Sequence, residues 1–170
     1  MSCMDVRRWI PVSLLLALTA FAQDAPSPAS ATLIVGGDVS VPLTLKADDL
    51  AKMPRQSIVL TEADGSKTTY EGVPLVEVLK RAGAPVGKAL RGNALASYVV
   101  AKAHDGYQVV YSLAEIDPEL TEGRFIVADK RDGKPLFGYQ GPFRIVAGGD
   151  KAAARSVRML DEIDIVRLKK

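Results

Sequence analysis

The chemistry open to this 170-residue chain rests on carboxylates, arginines and aromatic side chains, because it holds only one histidine and one cysteine. The segment His104-Asp105-Gly106-Tyr107 is typical of a tight turn, in which Asp105 supplies a side-chain hydrogen bond and His104 is a plain turn residue. A functional interpretation is also open. The Asp105 carboxylate can accept two donors from the guanidine-like edge of a heterocycle such as a pterin, with Tyr107 stacked on the ring.

A second candidate group lies near the C-terminus and consists of Arg144, Arg155, Ser156 and Arg158. Arginine offers a planar fork of donors that matches a phosphate, a carboxylate or a carbonyl-rich ring edge. Solvated charge on strand faces is the alternative interpretation, and composition does not separate the two. Tyr139, which precedes a tight turn, either lies exposed at the surface or lines a slot for a flat ligand.

The same inventory disfavours several function classes. A net charge of +2 gives no basic field of the size that nucleic-acid binding requires. A serine nucleophile would depend on His104, and no Gly-x-Ser-x-Gly turn presents a serine. Residues 148–151, Gly-Gly-Asp-Lys, lack the Gly-Lys-Ser/Thr order of a phosphate-binding loop and are interpreted as a turn. We expect no catalytic residue and no metal site, because clustered cysteines and histidines are missing.

An export signal precedes the elements that position these residues. Arg7 and Arg8 come before the apolar residues 10–22, and Ala20-Phe21-Ala22 fits the small-x-small cleavage rule. We expect residues 1–22 to be a signal peptide, 23–31 a flexible linker and 32–170 one domain that is periplasmic or secreted. The alternative, a membrane anchor, needs a longer apolar stretch of roughly 20 residues. Cleavage at this point would also remove Cys3.

Short strand patterns dominate the rest of the sequence, together with one clear helix. Leu75, Val78, Leu79 and Ala82 have the i, i+3, i+4, i+7 spacing of an apolar helix face. Shorter helical segments are predicted at residues 47–53 and 113–116. Strands are predicted at residues 32–35, 39–45, 57–61, 67–70, 97–103, 107–113, 125–128 and 143–147, with two more within 156–168. The pattern predicts a β-rich α+β domain with antiparallel pairing.

Five segments then occur in an order that resembles a known family. Tyr70-Glu71-Gly72-Val73-Pro74-Leu75 is similar to a Trp-x-Gly-Val-Pro-Leu segment, and further similar segments follow at residues 105–113, 125–136, 141–146 and 155–160. From residue 43 to residue 168 the chain resembles the molybdopterin-binding domain of the sulfite-oxidase family of oxidoreductases. The resemblance implies the β-rich, mixed-sheet fold of that family in a single domain.

The departures from the family pattern bear on activity. Catalytic members hold molybdenum through a cysteine thiolate in the region before Gly-Val-Pro-Leu, whereas residues 57–64 here contain no cysteine. Gln140 lies near the point where the family has a histidine. A thiolate is a soft ligand that hydroxyl and carboxylate groups do not reproduce. The resemblance therefore points to a stand-alone, cysteine-free branch of the family. This branch retains the residues that surround the pterin, and we expect it to bind no metal.

The resemblance implies an exported, non-catalytic module that binds a pterin or molybdopterin and reports the ligand's state to a membrane or periplasmic protein. Asp105 would accept the ring's donors, and Arg144 and Arg158, with Arg155 and Ser156, would hold a carbonyl edge or phosphate. Tyr107, Tyr139 or Phe143 would stack on the ring, beside His104. Two alternatives stay open: a molybdopterin-dependent oxidoreductase or its accessory subunit, and an interaction module that has lost its ligand.

Overall fold

Ten strands and three short α-helices form the part of the chain that the computed structural model describes, residues 31–62 and 64–168. The strands are β1 (Thr32–Gly37), β2 (Leu43–Lys46), β3 (Gln56–Thr61), β4 (Lys67–Pro74), β5 (Ser97–Ala103), β6 (Gln108–Ser112), β7 (Arg124–Arg131), β8 (Lys134–Pro135), β9 (Arg144–Gly148) and β10 (Leu160–Arg167). The helices are α1 (Ala47–Ala51), α2 (Leu75–Arg81) and α3 (Leu113–Ile116). The predicted signal peptide lies outside the described residues.

The strands form two five-stranded sheets. The first has the order β2-β1-β10-β5-β6, and the second has the order β3-β4-β7-β8 with β9 also paired to β7. All neighbours are antiparallel except β1 and β10, which run parallel. The prediction of antiparallel pairing is therefore wrong for this pair. No hairpin constrains these two strands, since they come from opposite ends of the described chain. The α+β, mixed-sheet prediction is confirmed.

The main core contains side chains from both sheets and from α2. Leu75, Val78 and Leu79 are fully buried in this core, which confirms the predicted apolar face of α2. A smaller apolar cluster lies on the opposite face of the second sheet. Along β7, Val127 belongs to the main core and its neighbour Ile126 to the smaller cluster. This explains the continuous apolar run in β7, since a strand that is buried on both faces needs no polar alternation.

Most predicted elements are present, and the differences have local causes. Residues 156–168 hold one strand, β10, because Met159 has a positive φ of 46° and its carbonyl accepts the backbone N–H of His104. Of the predicted strand at residues 39–45, only β2 forms. The preceding loop instead packs on the end of α2, where the Val41 N–H donates to the Ala82 carbonyl.

Within the described residues, no helix has both the length and the apolar character needed to cross a membrane.

Candidate functional site

The turn between β5 and β6 forms as its sequence predicts. The Tyr107 N–H donates to Asp105 Oδ1 over 3.0 Å, which is the side-chain turn bond expected of Asp105. The Tyr107 hydroxyl donates to the Ala154 carbonyl over 2.7 Å, in the short 3₁₀ turn Ala153–Arg155. This bond fixes the Tyr107 ring and ties the β5–β6 turn to the segment before β10.

A cavity of about 380 Å³, here called the turn cavity, lies between these two segments. Its volume falls within the range of roughly 300–1,000 Å³ that small-molecule sites occupy. Four of the predicted site residues meet in its wall, two from the β5–β6 turn and two from the segment before β10. The lining consists of Asp105, Tyr107, Ala153, Ala154, Ser156 and Arg158.

A second cavity of about 260 Å³, here called the arginine cavity, shares Arg158 with the first. Three guanidinium groups and two carboxylates line it, so it offers both hydrogen-bond donors and acceptors. The residues are Glu62, Asp64, Ser66, Tyr70, Arg131, Tyr139, Gln140, Arg144 and Arg158. Because Arg158 lines both cavities, one elongated ligand can contact the two walls together.

Arg144 is the most buried charged group of the arginine cavity, with 2% of its surface exposed. Its Nη1 donates to the Tyr70 hydroxyl and to Gln140 Oε1, each over 2.7 Å, and its Cζ lies 4.6 Å from the centroid of the Tyr70 ring. Burial lowers the pKa of the Arg144 guanidinium.

The bonds of Arg144 leave it incompletely satisfied. Among the described residues, no carboxylate forms an ion pair with Arg144, and its Nε has no hydrogen-bond partner. A buried cation that contacts only neutral groups costs free energy. A carbonyl or anionic group of a ligand in the arginine cavity would offset that cost.

Tyr70 connects Arg144 to the loop between β3 and β4. Its ring is fully buried, and its hydroxyl lies 3.4 Å from Glu62 Oε1, to which it donates. Burial raises the pKa of the Tyr70 phenol, so the hydroxyl keeps its proton at neutral pH. The two consecutive hydrogen bonds, from Arg144 to Tyr70 and from Tyr70 to Glu62, therefore hold one Glu62 oxygen at the cavity wall.

Arg158 and Tyr139 lie at the exposed side of the arginine cavity. The Arg158 Cζ is 5.5 Å from the centroid of the Tyr139 ring, a cation–π distance, and Tyr139 is 65% exposed. Within the described part of the chain, the Arg158 guanidinium makes no ion pair. Its donors are therefore available to a ligand in either cavity.

The structure places Arg155, His104 and Phe143 outside both cavity walls. Phe143 is fully buried in the main core, so it does not stack on a ligand there. Arg155 Nη2 donates to Glu115 Oε2 over 2.7 Å, its Nε lies 3.3 Å from Asp150 Oδ2, and the bond to Glu115 raises its pKa. The Nε contact is an ion pair without hydrogen-bond geometry, since Nε has no hydrogen-bond partner. His104 Nδ1 lies 2.8 Å from Asp161 Oδ2. Ser156 lines the turn cavity, and its Oγ accepts the Ala147 N–H.

We expect Arg155→Ala to reduce mainly the stability of the fold and Arg158→Ala to reduce mainly the affinity for the ligand. Arg155 also lies over the rings of Tyr111 and Phe125, so its loss should lower the free energy of unfolding by about 1–2 kcal/mol. Arg158→Ala should change the free energy of unfolding by no more than about 0.5 kcal/mol and should weaken ligand binding instead. Urea unfolding of both variants measures the difference, and equal stability of the two would contradict it.

Six residues of the arginine cavity were not among the predicted site residues: Glu62, Asp64, Ser66, Tyr70, Arg131 and Gln140. The sequence contained a signal for two of them. Tyr70 stands where the resembled motif has tryptophan, and Gln140 lies near the position of the family's histidine. Glu62 carried no such signal, because only the β3–β4 hairpin brings it to Tyr70.

Comparisons with known proteins identify the family to which this fold belongs. Residues 21–170 match the family model of the oxidoreductase molybdopterin binding domain, so the chain belongs to that family. The predicted resemblance is thereby confirmed.

A solved structure shows the same fold. The chain is similar to the crystal structure of the sulfane dehydrogenase SoxCD from Paracoccus pantotrophus, with a TM-score of 0.61 and 18% sequence identity. The similarity covers 82% of this chain and 39% of the SoxCD chain. At this identity it shows the fold alone. None of the curated proteins matches the sequence.

The residues present fit the organic part of a molybdopterin better than its metal. The unpartnered Nε of Arg144, the free donors of Arg158 and the Asp105 carboxylate match a pterin's carbonyl and amino groups. The chain's one cysteine is Cys3, which precedes the described residues. In the described part, no three residues of the types His, Cys, Asp and Glu form a group that could hold a metal.

Proposed function

We propose that this member of the molybdopterin-binding family is a binding module for a pterin that carries no metal. The observation that supports it most is the Arg144 guanidinium, which is buried at a cavity wall without an ion-pair partner in the described chain and with an unbonded Nε. A buried group that lowers the stability of the ligand-free protein is typical of a site that is adapted to a ligand.

The turn cavity would hold the pyrimidine end of the ring. Asp105 Oδ1 already accepts the Tyr107 N–H, and within the described chain Oδ2 takes part in no hydrogen bond. Oδ2, together with the remaining lone pair of Oδ1, would accept the ring's amino and N–H donors in charge-assisted hydrogen bonds. Tyr107, whose ring is fixed by its bond to Ala154, would stack on the ring face. Arg158 would bind the carbonyl edge where the two cavities meet.

The side chains that could act as metal ligands support ligand binding over metal-centred catalysis. Catalytic relatives carry their thiolate in the region of residues 57–64, and of the residues described there only Glu62 and Asp64 line the arginine cavity. Their carboxylate oxygens are hard ligands and do not replace a soft thiolate. Family membership still favours a second candidate, a molybdopterin-dependent oxidoreductase in which one of these carboxylates contacts the metal. Stoichiometric molybdenum in the purified protein would support that candidate.

We also infer export and a protein partner. Residues 7–22 have the pattern of a cleavable signal, which supports a periplasmic or secreted location. Phe137 is 76% exposed and lies two residues before Tyr139, which lines the arginine cavity. Exposed aromatic side chains are enriched at protein interfaces, which supports a partner that senses whether the cavity is occupied.

The direct test is calorimetric titration with tetrahydrobiopterin under anaerobic conditions. We expect saturable binding at one site and a loss of about 10-fold to 100-fold in affinity for Asp105→Asn, since a hydrogen bond to a charged group contributes about 1.5–3 kcal/mol. Asparagine keeps an oxygen for the Tyr107 N–H, so the turn should persist.

Asp38→Asn is the matched control. Asp38 also accepts one backbone N–H, from Arg167, and lines neither cavity. Its substitution should leave the affinity unchanged. If the wild-type protein gives no saturable heat with the pterin, the proposed function is wrong.

A further inference from the structure

We propose that strand β3 pairs with the β3 strand of a second copy of this chain, so that two copies of the second sheet become one continuous sheet. This contact uses the open edge of the second sheet and does not depend on what the two cavities bind. Three features of β3 support it: an uncharged sequence, a row of unpaired backbone groups and opposite charges at its two ends.

β3 is an edge strand without the features that usually protect an edge. It stands at the end of the strand order β3-β4-β7-β8, and its six residues, Gln56–Thr61, include no charged residue, proline or glycine. Val59, on the solvent face of the strand, is 57% exposed. Natural sheets protect an open edge with lysine, proline, a bulge or a very short strand. A regular, uncharged edge of this kind is available for pairing with another strand.

The edge strands β2, β6 and β8 differ from β3 in this respect. β8 has only two residues, Lys134 and Pro135, and β2 has only four and ends at Lys46. β6 is uncharged, but the N–H of its last residue, Ser112, already donates to Glu115 Oε1. Among these four edge strands, β3 is therefore the longest, and neither its sequence nor its hydrogen bonds block it.

The backbone of β3 presents a complete row of unpaired groups along the open edge. In the β3–β4 turn the Glu62 N–H donates to the Ser66 carbonyl, so the even-numbered residues of β3 direct their backbone groups towards β4. The N–H and carbonyl groups of Ser57, Val59 and Thr61 therefore point away from β4. Within the described residues, none of these groups takes part in a hydrogen bond outside the sheet.

One register pairs all of these groups at once. With a twofold axis at Val59, the two copies of Val59 lie opposite each other, and Ser57 of each copy lies opposite Thr61 of the other. Each such pair exchanges two backbone hydrogen bonds. On the inner face, Ile58 then lies opposite Leu60 of the second copy, and both residues belong to the smaller apolar cluster of their own chain. The pairing would therefore extend this cluster across the interface.

The charges at the ends of β3 favour a second copy in the antiparallel direction. Arg55, which Asp129 of its own chain holds in place, precedes the strand, and Glu62 follows it. Antiparallel pairing brings the basic end of one copy near the acidic end of the other, whereas parallel pairing would bring like charges together. The edge is thus complementary to itself, and an isologous contact of this kind closes as a dimer.

Sedimentation velocity at increasing protein concentration tests the pairing. The contact is small, so we expect a monomer at about 5 μM and mainly a dimer at about 500 μM. In Val59→Lys, two ammonium groups would lie opposite each other at the twofold axis, and the dissociation constant of the dimer should rise about 10-fold. Val110→Lys is the matched control, because Val110 is also 57% exposed in the middle of an edge strand, β6. This control should leave the dissociation constant unchanged.

Oxidative cross-linking tests the register. In Val59→Cys, the substituted positions have Cα atoms about 5.5 Å apart, which suits a disulfide, so we expect a covalent dimer. In Ser57→Cys, the substituted positions lie about 14 Å apart across the same interface, so we expect little cross-linking. Both variants and the wild type contain Cys3, so the wild type gives the background.

A wild-type protein that stays monomeric at about 500 μM would overturn the inference. Equal dissociation constants for Val59→Lys and Val110→Lys would overturn the placement of the contact at β3. Equal cross-linking of Val59→Cys and Ser57→Cys would overturn the register. Each of these results would leave the proposed function standing, because calorimetric titration with the pterin tests that function separately.

Discussion

Replacement of Arg144 by methionine should weaken tetrahydrobiopterin binding by about 30-fold or more while the folded protein becomes slightly more stable. The loss of affinity follows because removal of one partner from a buried, charge-assisted bond costs about 2 kcal/mol or more, at 1.4 kcal/mol for each factor of ten. Methionine fills a similar length of the buried space with an unbranched, flexible side chain.

The expected gain in stability has an electrostatic cause. Arg144 is 2% exposed, and its hydrogen bonds go to the neutral groups of Tyr70 and Gln140. Desolvation of the guanidinium disfavours its charged form and lowers its pKa. Apolar replacements of buried charges are often neutral or stabilising, and we expect a rise of about 1 kcal/mol in the free energy of unfolding.

Urea unfolding and calorimetric titration of the same Arg144→Met preparation measure both effects. A purely structural arginine would give a different result, in which stability falls by several kcal/mol and binding follows only through loss of the folded state. A variant that is as stable as the wild type and binds the pterin equally well would show that Arg144 does not contact the ligand.

Gly72→Ala should lower the free energy of unfolding by about 3 kcal/mol or more. Gly72 lies in β4 within the Gly-Val-Pro segment, at a register shift in the pairing with β7. A Cβ at this position would lie 2.1 Å from the Val127 carbonyl oxygen and 2.5 Å from the Ala128 Cα. Both atoms belong to the backbone of a strand that is buried on both faces, so no flexible side chain can move aside.

Gly36→Ala is the control for this effect, because Gly36 also lies in a strand and a Cβ there meets only the Asp164 side chain, at 3.4 Å. The free energy of unfolding of the Gly36→Ala variant should change by about 1 kcal/mol at most. Thermal unfolding separates the two, with Gly72→Ala expected to melt about 10 °C lower than the wild type. Equal melting temperatures would show that β4 and β7 can move apart at this point without cost.

The sequence predicts the local features of this protein well. The spacing of Leu75, Val78 and Leu79 identifies α2, and the residue types of the segment His104 to Tyr107 identify the β5–β6 turn. Both follow from interactions within a few residues of chain, where periodicity and turn chemistry are decisive. The structure also places Ser156 and Arg158 beside Asp105 in the lining of the turn cavity. Their role in ligand binding stays a prediction.

The features that depend on distant contacts could not be predicted in the same way. Arg155 has the same residue type as Arg158 and lies only three positions earlier, yet its guanidinium meets Glu115 and Asp150. Which of two nearby arginines faces a cavity depends on the path of the chain before β10. The bond from Arg144 to Tyr70 likewise joins residues 74 positions apart, on β9 and β4, which lie on either side of β7 in the folded second sheet.

The central claim, that this domain holds a pterin without a metal, is tested most directly by native mass spectrometry of the protein purified from its natural host. Our account predicts a complex of one chain with one organic ligand of pterin mass, and no molybdenum in the same sample. A ligand mass that includes molybdenum at one atom per chain would contradict it, and would identify the domain as a molybdenum-dependent oxidoreductase component.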